Sequence, residues 1–262
     1  MYFRKRIREV TMIELRHYPI YTNSLEELPS GKLLINTINA HSFNEALKDV
    51  KFTEALNHSD VLLPDGISVV GAVRLLTGQK LKKIAGEDLF EFEMRRLEKI
   101  GCTTESCTPD NGKPIVLFLG STEDTLKKIQ ERAGKEYPNV EVHVYSPPFK
   151  KEFSDEDNLS MIQHVNTIHP DVLYVGMTAP KQEKWAYQHF RNLNAGHVCC
   201  IGAVFDFYAG TVKRAPKWII KLGLEWFYRL VKEPRRMWKR YMVGNFKFIY
   251  EILIEMIQLA KR

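Results

Sequence analysis

Residues 115–137 read IVLFLGSTEDTLKKIQERAGKEY, and this stretch decides the fold. Five successive apolar residues, Ile115–Leu119, suit a strand covered on both faces, and Gly120-Ser121 stop it. Apolar residues then recur at helical spacing from Thr122 to about Tyr137, and Val140–Tyr145 follows as a second short strand. A strand, a helix and another strand joined by short turns form a crossover unit. That unit places its two strands parallel in one sheet.

The same alternation extends in both directions. Upstream, after a ragged start, Leu33–Ile38 (LLINTI) reads as a buried strand, and Phe43–Asn57 reads as helical. Asp60–Leu63 (DVLL) is a strand stopped by Pro64-Asp65-Gly66, and helices are expected over Ile67–Leu76 and Glu87–Lys99. Thr103–Lys113 (TTESCTPDNGK) is a polar loop without periodicity. Downstream, Asp155–Ile168 reads as a helix opened by a Ser154 cap, then Val172–Val175 as a strand, Gln182–Asn192 as a helix and Val198–Ala203 as a strand. The expected class is therefore α/β, with a Rossmann-like, mostly parallel sheet carrying helices on both faces. Ligands of such sheets bind beyond the carboxyl ends of the strands. Those ends carry Thr37-Ile38-Asn39, Pro64-Asp65-Gly66, Gly120-Ser121, Gly176–Pro180, and Gly202-Ala203 leading to Asp206.

Charge separates near residue 212. Residues 213–262 hold 13 Lys+Arg against 4 Asp+Glu, while residues 1–212 hold 25 against 28. Trp218, Trp226, Phe227, Tyr228, Trp238 and Tyr241 interleave with those cations. The expected organisation is an α/β core over 1–212 and a basic, aromatic, helical C-terminal appendage over 213–262. Cations alternating with amphipathic aromatics suit an anionic membrane surface. They also suit nucleic acid, the competing interpretation, which salt-sensitive oligonucleotide binding would favour. Phe246–Ala260 is broken by Lys247, Glu251, Glu255 and Gln258, so it is too short and too charged to span a bilayer. Its stripe of Ile249, Ile252, Leu253, Met256 and Ile257 suits the protein's own core, a second subunit or a lipid interface.

Other classes fit less well. Four cysteines in 262 residues do not make a secreted disulfide scaffold, and the eight histidines show no metal-ligand spacing. The basic start MYFRKRIREV lacks a following apolar run of signal-peptide length. A nicotinamide-dependent oxidoreductase would need a glycine fingerprint after the first strand, and none is present.

Several residues at the strand ends can do chemistry. Asp65, in a turn facing the ligand crevice, can act as general base, cap the next helix or hold a ribose. Thr37 and Asn39 end the preceding strand, where polar satisfaction is the plain explanation. Gly120-Ser121 and the helix behind them offer backbone N–H groups to a phosphate, though the segment is neither a Walker loop nor GxGxxG. Gln182, behind Pro180 at a helix start, can present its amide to a ligand. Arg214 and Arg229 bring forked donors suited to a diphosphate.

Taken in order, PDGISVVGAVRLLTG, GEDLFE, IVLFLGS, PDVLYVGMTAPKQEKW, IGAVFDFYAGTVKRAPKW and LGLEWFYRLVKEPRR resemble the WecG/TagA/CpsF family of bacterial glycosyltransferases over about residues 33–240. The resemblance implies inverting, metal-independent transfer of an N-acetylmannosamine-type or related sugar, with no cofactor. The donor is a UDP-sugar and the acceptor a polyprenyl-diphosphate-linked sugar. It further implies a cytoplasmic enzyme peripheral to the inner membrane face, with no nucleic acid as partner. A homo-oligomer rests instead on the apolar stripe at Ile249–Ile257, which suits a subunit contact as readily as a bilayer. Asp65 matches the family's catalytic aspartate, and Thr37 and Asn39 match the polar pair that positions donor sugar or acceptor. Gly120, Ser121, Gln182 and Asp206 are assigned to the nucleotide-sugar pocket, and Arg214, Arg229, Arg235 and Arg236 to the diphosphate. Lys83 stands where the family often has Arg, keeping the charge but not the forked geometry. The Thr103–Lys113 loop resembles a local insertion.

Overall fold

A computed structural model describes residues 12–103 and 112–261. The chain divides into two compact units: Met1–Ser24, Thr37–Ala85 and Lys213–Arg262 form the first, and Leu25–Asn36 with Gly86–Val212 the second. A six-stranded parallel sheet runs in the order β4-β3-β8-β7-β5-β6 and is flanked by helices. Its strands are β3 (Leu33–Ile38), β4 (Val61–Pro64), β5 (Ile115–Gly120), β6 (Glu141–Tyr145), β7 (Val172–Gly176) and β8 (His197–Cys200).

In the second unit, β5 pairs in parallel with β6 and β7, and β8 with β7 and the start of β3. The central strands are buried along nearly their whole length, which is why their sequences run apolar rather than alternating. Between the strands lie α4 (Gly86–Thr103), α5 (Glu123–Glu136), α6 (Asp155–Ile168), α7 (Lys181–His189) and α8 (Val204–Tyr208). Thr122 caps α5 by accepting the Thr125 N–H, and Ser154 caps α6 reciprocally with Asp157. On one side of the sheet Leu117, Leu173, Val175 and Val198 pack with Met161, Val165, Trp185 and Ala186.

The first unit is built on α1 (Ala40–Ala46), α2 (Val50–Asn57), α3 (Ile67–Thr77) and an antiparallel hairpin, β1 (Met12–Leu15) and β2 (Tyr18–Tyr21). The hairpin replaces the ragged start expected from the sequence. Its two-residue turn has Arg16 in the left-handed region rather than a glycine or asparagine, so the usual turn signal is missing. The single helical segment expected over Phe43–Asn57 is two helices, because Asp49 accepts the Phe52 N–H and starts α2 afresh. In the second unit, β8 ends at Cys200 instead of Ala203, with Gly202 at φ 36° turning the chain toward α8. The expected 103–113 loop lies mostly outside the described residues, and α4 runs through Thr103.

After Val212 the chain returns to the first unit through α9 (Lys217–Lys221), α10 (Glu225–Lys232), α11 (Pro234–Trp238), a π-helical turn (Lys239–Val243) and α12 (Gly244–Ala260). Helix α12 is docked rather than free. Phe248 and Ile252 are buried among Phe43, Leu62, Val69 and Val73, and the Phe43 and Phe248 rings meet edge to face at 5.0 Å. Asn44 donates through Nδ2 to the Gly244 carbonyl at 2.6 Å, and Arg16 pairs with Glu251 and Glu255. Of the expected apolar stripe only Ile252 enters the core. Ile249, Leu253, Met256 and Ile257 lie exposed beside Phe246 and Tyr250.

Candidate active site

The residues singled out from the sequence fall into two sets, one in each unit. In the first unit, Asp65 follows the last residue of β4, and its N–H donates to the Ile38 carbonyl at 2.9 Å. Gly66, at φ 106°, turns the chain into α3 and is itself the N-cap, with no side chain to offer. The carboxylate of Asp65 therefore does not serve as that helix's N-cap. Asn39 caps α1: its Oδ1 accepts the His41 and Ser42 N–H groups, and Ser42 Oγ accepts the Asn39 N–H. With Oδ1 committed to the cap, Nδ2 is left pointing at Asp65 Oδ2, 3.4 Å away. The cap thus orients a donor toward the carboxylate. A Cβ on Gly66 would rest 3.8 Å from that of Asn39, so this corner is close-packed without clash.

Thr37 is half-buried on β3, one residue from the end of the strand. Ile84 N–H donates to the Pro64 carbonyl at 3.0 Å, which ties the half-buried Lys83 to the end of the same strand as Asp65. A residue passed over in the sequence also belongs to this corner. His41 opens α1 two positions after Asn39, and burial, followed by the charge of Arg240, lowers its imidazole to about 4. It is neutral at pH 7 and presents an uncharged ring.

The arginines of the tail are distributed unevenly. Arg214 is half-buried and forks onto Glu225, Nε to Oε1 at 3.1 Å and Nη2 to Oε2 at 3.4 Å. Arg229 is half-buried on α10 and Arg235 exposed on α11, whereas the side chain of Arg236 lies outside the described residues.

In the second unit, Gly120 and Ser121 end β5 beside Gly176 at the end of β7. Gly120 takes φ 126°, and a Cβ there would lie 2.4 Å from the Gly176 carbonyl oxygen. Glycine is required for the two strand ends to approach this closely. Ser121 is also left-handed, at φ 60°; its N–H donates to Gly176 O and its carbonyl accepts from Ser146 Oγ. The turn is held by protein contacts, with one of the N–H groups considered for a phosphate already engaged. Asp206 lies half-buried on α8, and its carbonyl accepts the Thr211 and Val212 N–H groups.

Gln182 is almost wholly enclosed at the first turn of α7. Its Oε1 accepts the Met177 N–H at 3.2 Å, and its Nε2 donates to Glu183 Oε1 at 2.8 Å. A Cβ on Gly202 would come within 3.0 Å of Gln182 Oε1, so the turn after β8 is shaped around this amide. Glu183 was overlooked in the sequence, where a charged residue at a helix start reads as solvent-facing. It is 2% exposed, Oε2 has no hydrogen-bond partner, and burial raises its carboxyl to about 7. One signal was available: Glu183 stands three residues before Ala186 and shares its inward face.

No group of three or more metal-ligating side chains occurs among the described residues, and none of their helices is long and apolar enough to cross a membrane. Among exposed large hydrophobics the tail predominates, with Trp218, Phe227, Val231, Trp238 and Phe246 all at least half exposed.

Comparison with known proteins matches residues 10–262 to the family described as Glycosyl transferase WecG/TagA/CpsF family. An N-acetylglucosaminyldiphosphoundecaprenol N-acetyl-beta-D-mannosaminyltransferase of Bacillus subtilis (strain 168) is 33% identical over 223 residues, covering 85% of this chain and 79% of the relative. Proteins of the same name are 29% identical in Bacillus spizizenii (84% and 78% covered) and 27% identical in Staphylococcus aureus strain MW2 (89% and 82% covered). With the family matched across nearly the whole sequence and carried by the α/β sheet described above, the chain belongs to the WecG/TagA/CpsF family of glycosyltransferases.

Proposed function

We propose that this chain transfers an N-acetylmannosamine-type sugar from a UDP-sugar to a polyprenyl-diphosphate-linked sugar, with inversion and without a divalent metal. The observation that carries the proposal is the Asp65 carboxylate. It is fixed at a strand end by its own N–H, faced by the Asn39 amide, and not used as the N-cap of the following helix. Family membership and the names of the relatives supply the reaction class and the acceptor chemistry.

Inverting transfer needs a base at the acceptor hydroxyl and stabilisation of the leaving diphosphate. Asp65 takes the proton, while Asn39 Nδ2 donates to its carboxylate and holds the attacking geometry. Thr37 adds a hydroxyl on the adjoining strand. In the second unit Gly120, Ser121, Gln182 and Asp206 contribute to the nucleotide-sugar pocket. Charge on the departing UDP is met by Lys83 and by Arg214, Arg229, Arg235 and Arg236. Arg214 exchanges the Glu225 carboxylate for a diphosphate oxygen when donor is present.

The appendage over 213–262 brings the α/β core to the inner face of the membrane, where the lipid-linked acceptor resides. Support comes from α10, whose Trp226, Phe227, Leu230 and Val231 oppose Arg229 and Lys232 on a strongly amphipathic helix, and from the exposed aromatics around it.

The test is turnover of a panel of UDP-sugars, UDP-N-acetylmannosamine among them, with a short polyprenyl-diphosphate-N-acetylglucosamine and EDTA present. UDP release that depends on the lipid acceptor is the expected result. Equal release without acceptor, or full dependence on added metal, contradicts the proposal. Replacing the exposed Trp218, Phe227 and Trp238 by alanine, which spares the buried Phe248 and Ile252, is expected to abolish vesicle binding, and undiminished activity on membrane-embedded acceptor would sink the role given to the appendage.

A further inference from the structure

We infer that Glu183 is a positioning residue for donor binding: its enclosed carboxyl holds the Gln182 side-chain amide in one orientation at the ends of β7 and β8. The inference rests on the reading of Gln182 as part of the nucleotide-sugar pocket. Three contacts converge on that amide. The Met177 N–H can only donate, so it requires the amide oxygen, and Gln182 Oε1 lies 3.2 Å from it. Nε2 then faces Glu183 Oε1 at 2.8 Å. Gly202, at φ 36°, leaves room for the oxygen where a Cβ would press to 3.0 Å.

One N–H of the amide is used by Glu183, and the second is the donor that the pocket reading of Gln182 assigns to the nucleotide-sugar. An amide turned by 180° would set NH2 against the Met177 N–H and forfeit the glutamate's acceptor. Both partners therefore enforce a single orientation.

A carboxyl here is costly, which argues that its acceptor matters. Glu183 is 2% exposed, and its second oxygen is unpartnered. The charged and titratable groups that act on it are few: Lys184 on the same helix favours its charge, and the buried Cys200 thiol of β8 faces it. The helix N-terminus supplies further partial positive charge. A leucine would fill the space without the desolvation cost, but it would leave the Gln182 N–H unmet. As pH rises through about 7 the acid becomes a carboxylate, a stronger acceptor for the same N–H.

The experiment measures donor KM and kcat from pH 6 to 8 for wild type, Gln182→Ala, Glu183→Leu and Glu183→Gln. Gln182→Ala and Glu183→Leu are each expected to raise the donor KM about tenfold, with kcat within about twofold, as loss of one buried hydrogen bond implies. Glu183→Gln, which keeps an acceptor oxygen, is expected to restore KM near pH 6. It should also remove the fall in KM expected of wild type as pH crosses 7. A folded Glu183→Leu with wild-type KM, beside a raised KM in Gln182→Ala, overturns the inference. So does a Glu183→Gln that retains the wild-type pH dependence, which decides the matter if the leucine variant does not fold.

If Gln182→Ala itself leaves KM unchanged, the pocket assignment of Gln182 fails, and the side-chain amide resonance of Gln182 then judges Glu183 directly. Titration of that resonance near pH 7 in wild type but not in Glu183→Gln upholds the positioning contact. A resonance indifferent to both pH and substitution refutes it.

Discussion

Replacing Glu183 by glutamine changes the charge of one buried group and almost nothing of its shape, so the variant isolates an ionisation. The carboxyl moves from an ordinary 4.5 to about 7 on folding, chiefly through burial. Between those values the unfolded chain binds fewer protons at this site than the folded one, so stability falls as pH rises across the window. At about 1.4 kcal/mol for each pH unit, the full cost above pH 7 is roughly 3 kcal/mol. Between pH 5 and pH 8 about 2.5 kcal/mol of it comes into play. Glutamine has no such term. Urea unfolding of both proteins, followed by tryptophan fluorescence at matched pH, gives the difference in stability. Titrations common to the two proteins cancel in that difference. The glutamine variant is expected to gain about 2.5 kcal/mol on wild type from pH 5 to pH 8, or on the order of 5–10 °C in melting temperature. Any fixed effect of the substitution shifts the curve without tilting it. A difference that stays constant within about 0.5 kcal/mol over that range refutes the reasoning.

Asp65→Asn is expected to lower turnover by at least about a hundredfold while UDP binding, read by calorimetry, stays within about twofold, and near wild-type turnover would remove Asp65 as the base. Phe248→Ala should cost about 3–5 kcal/mol in urea unfolding, because its ring is buried edge to face against Phe43. A loss below about 1 kcal/mol would mean that α12 is not held there. Gly120→Ala should destabilise by at least about 2 kcal/mol, since a Cβ would meet the Gly176 carbonyl in a backbone region that favours glycine. Unchanged stability in that variant would contradict the close approach of the ends of β5 and β7.

Much of the second unit could be read from the sequence. β5 and β7 announce themselves as short apolar runs and β6 as an alternating one, and Ser154 caps the helix that follows it, as its hydroxyl and position suggest. Less was legible in the first unit. The β1–β2 hairpin turns through Arg16 without turn chemistry in the sequence, and the break between α1 and α2 depends on a cap at Asp49 inside an otherwise helical pattern. The site divides in the same way. Asp65, Thr37 and Asn39 could be nominated from their places at strand ends. The cap that Asn39 makes with its oxygen is local, but that its nitrogen then turns toward Asp65 depends on a contact between residues 26 positions apart.

The sequence by itself determined the α/β class, the parallel sheet and the basic and aromatic tail, which follow from local periodicity, from punctuation by glycine and proline, and from composition, all properties of neighbours along the chain. The glycosyltransferase family came separately, from the resemblance of ordered motifs to known members. Only the tertiary structure decided that Phe248 and, of the stripe, Ile252 alone anchor the last helix, that Arg214 is held by Glu225, and that the charged residue beside Gln182 is buried. The physical reason is that burial belongs to the packed neighbourhood. A glutamate at the first turn of a helix is an ordinary surface residue until strand ends close around it and remove its water, and at that moment its charge becomes costly and its hydrogen bond decisive.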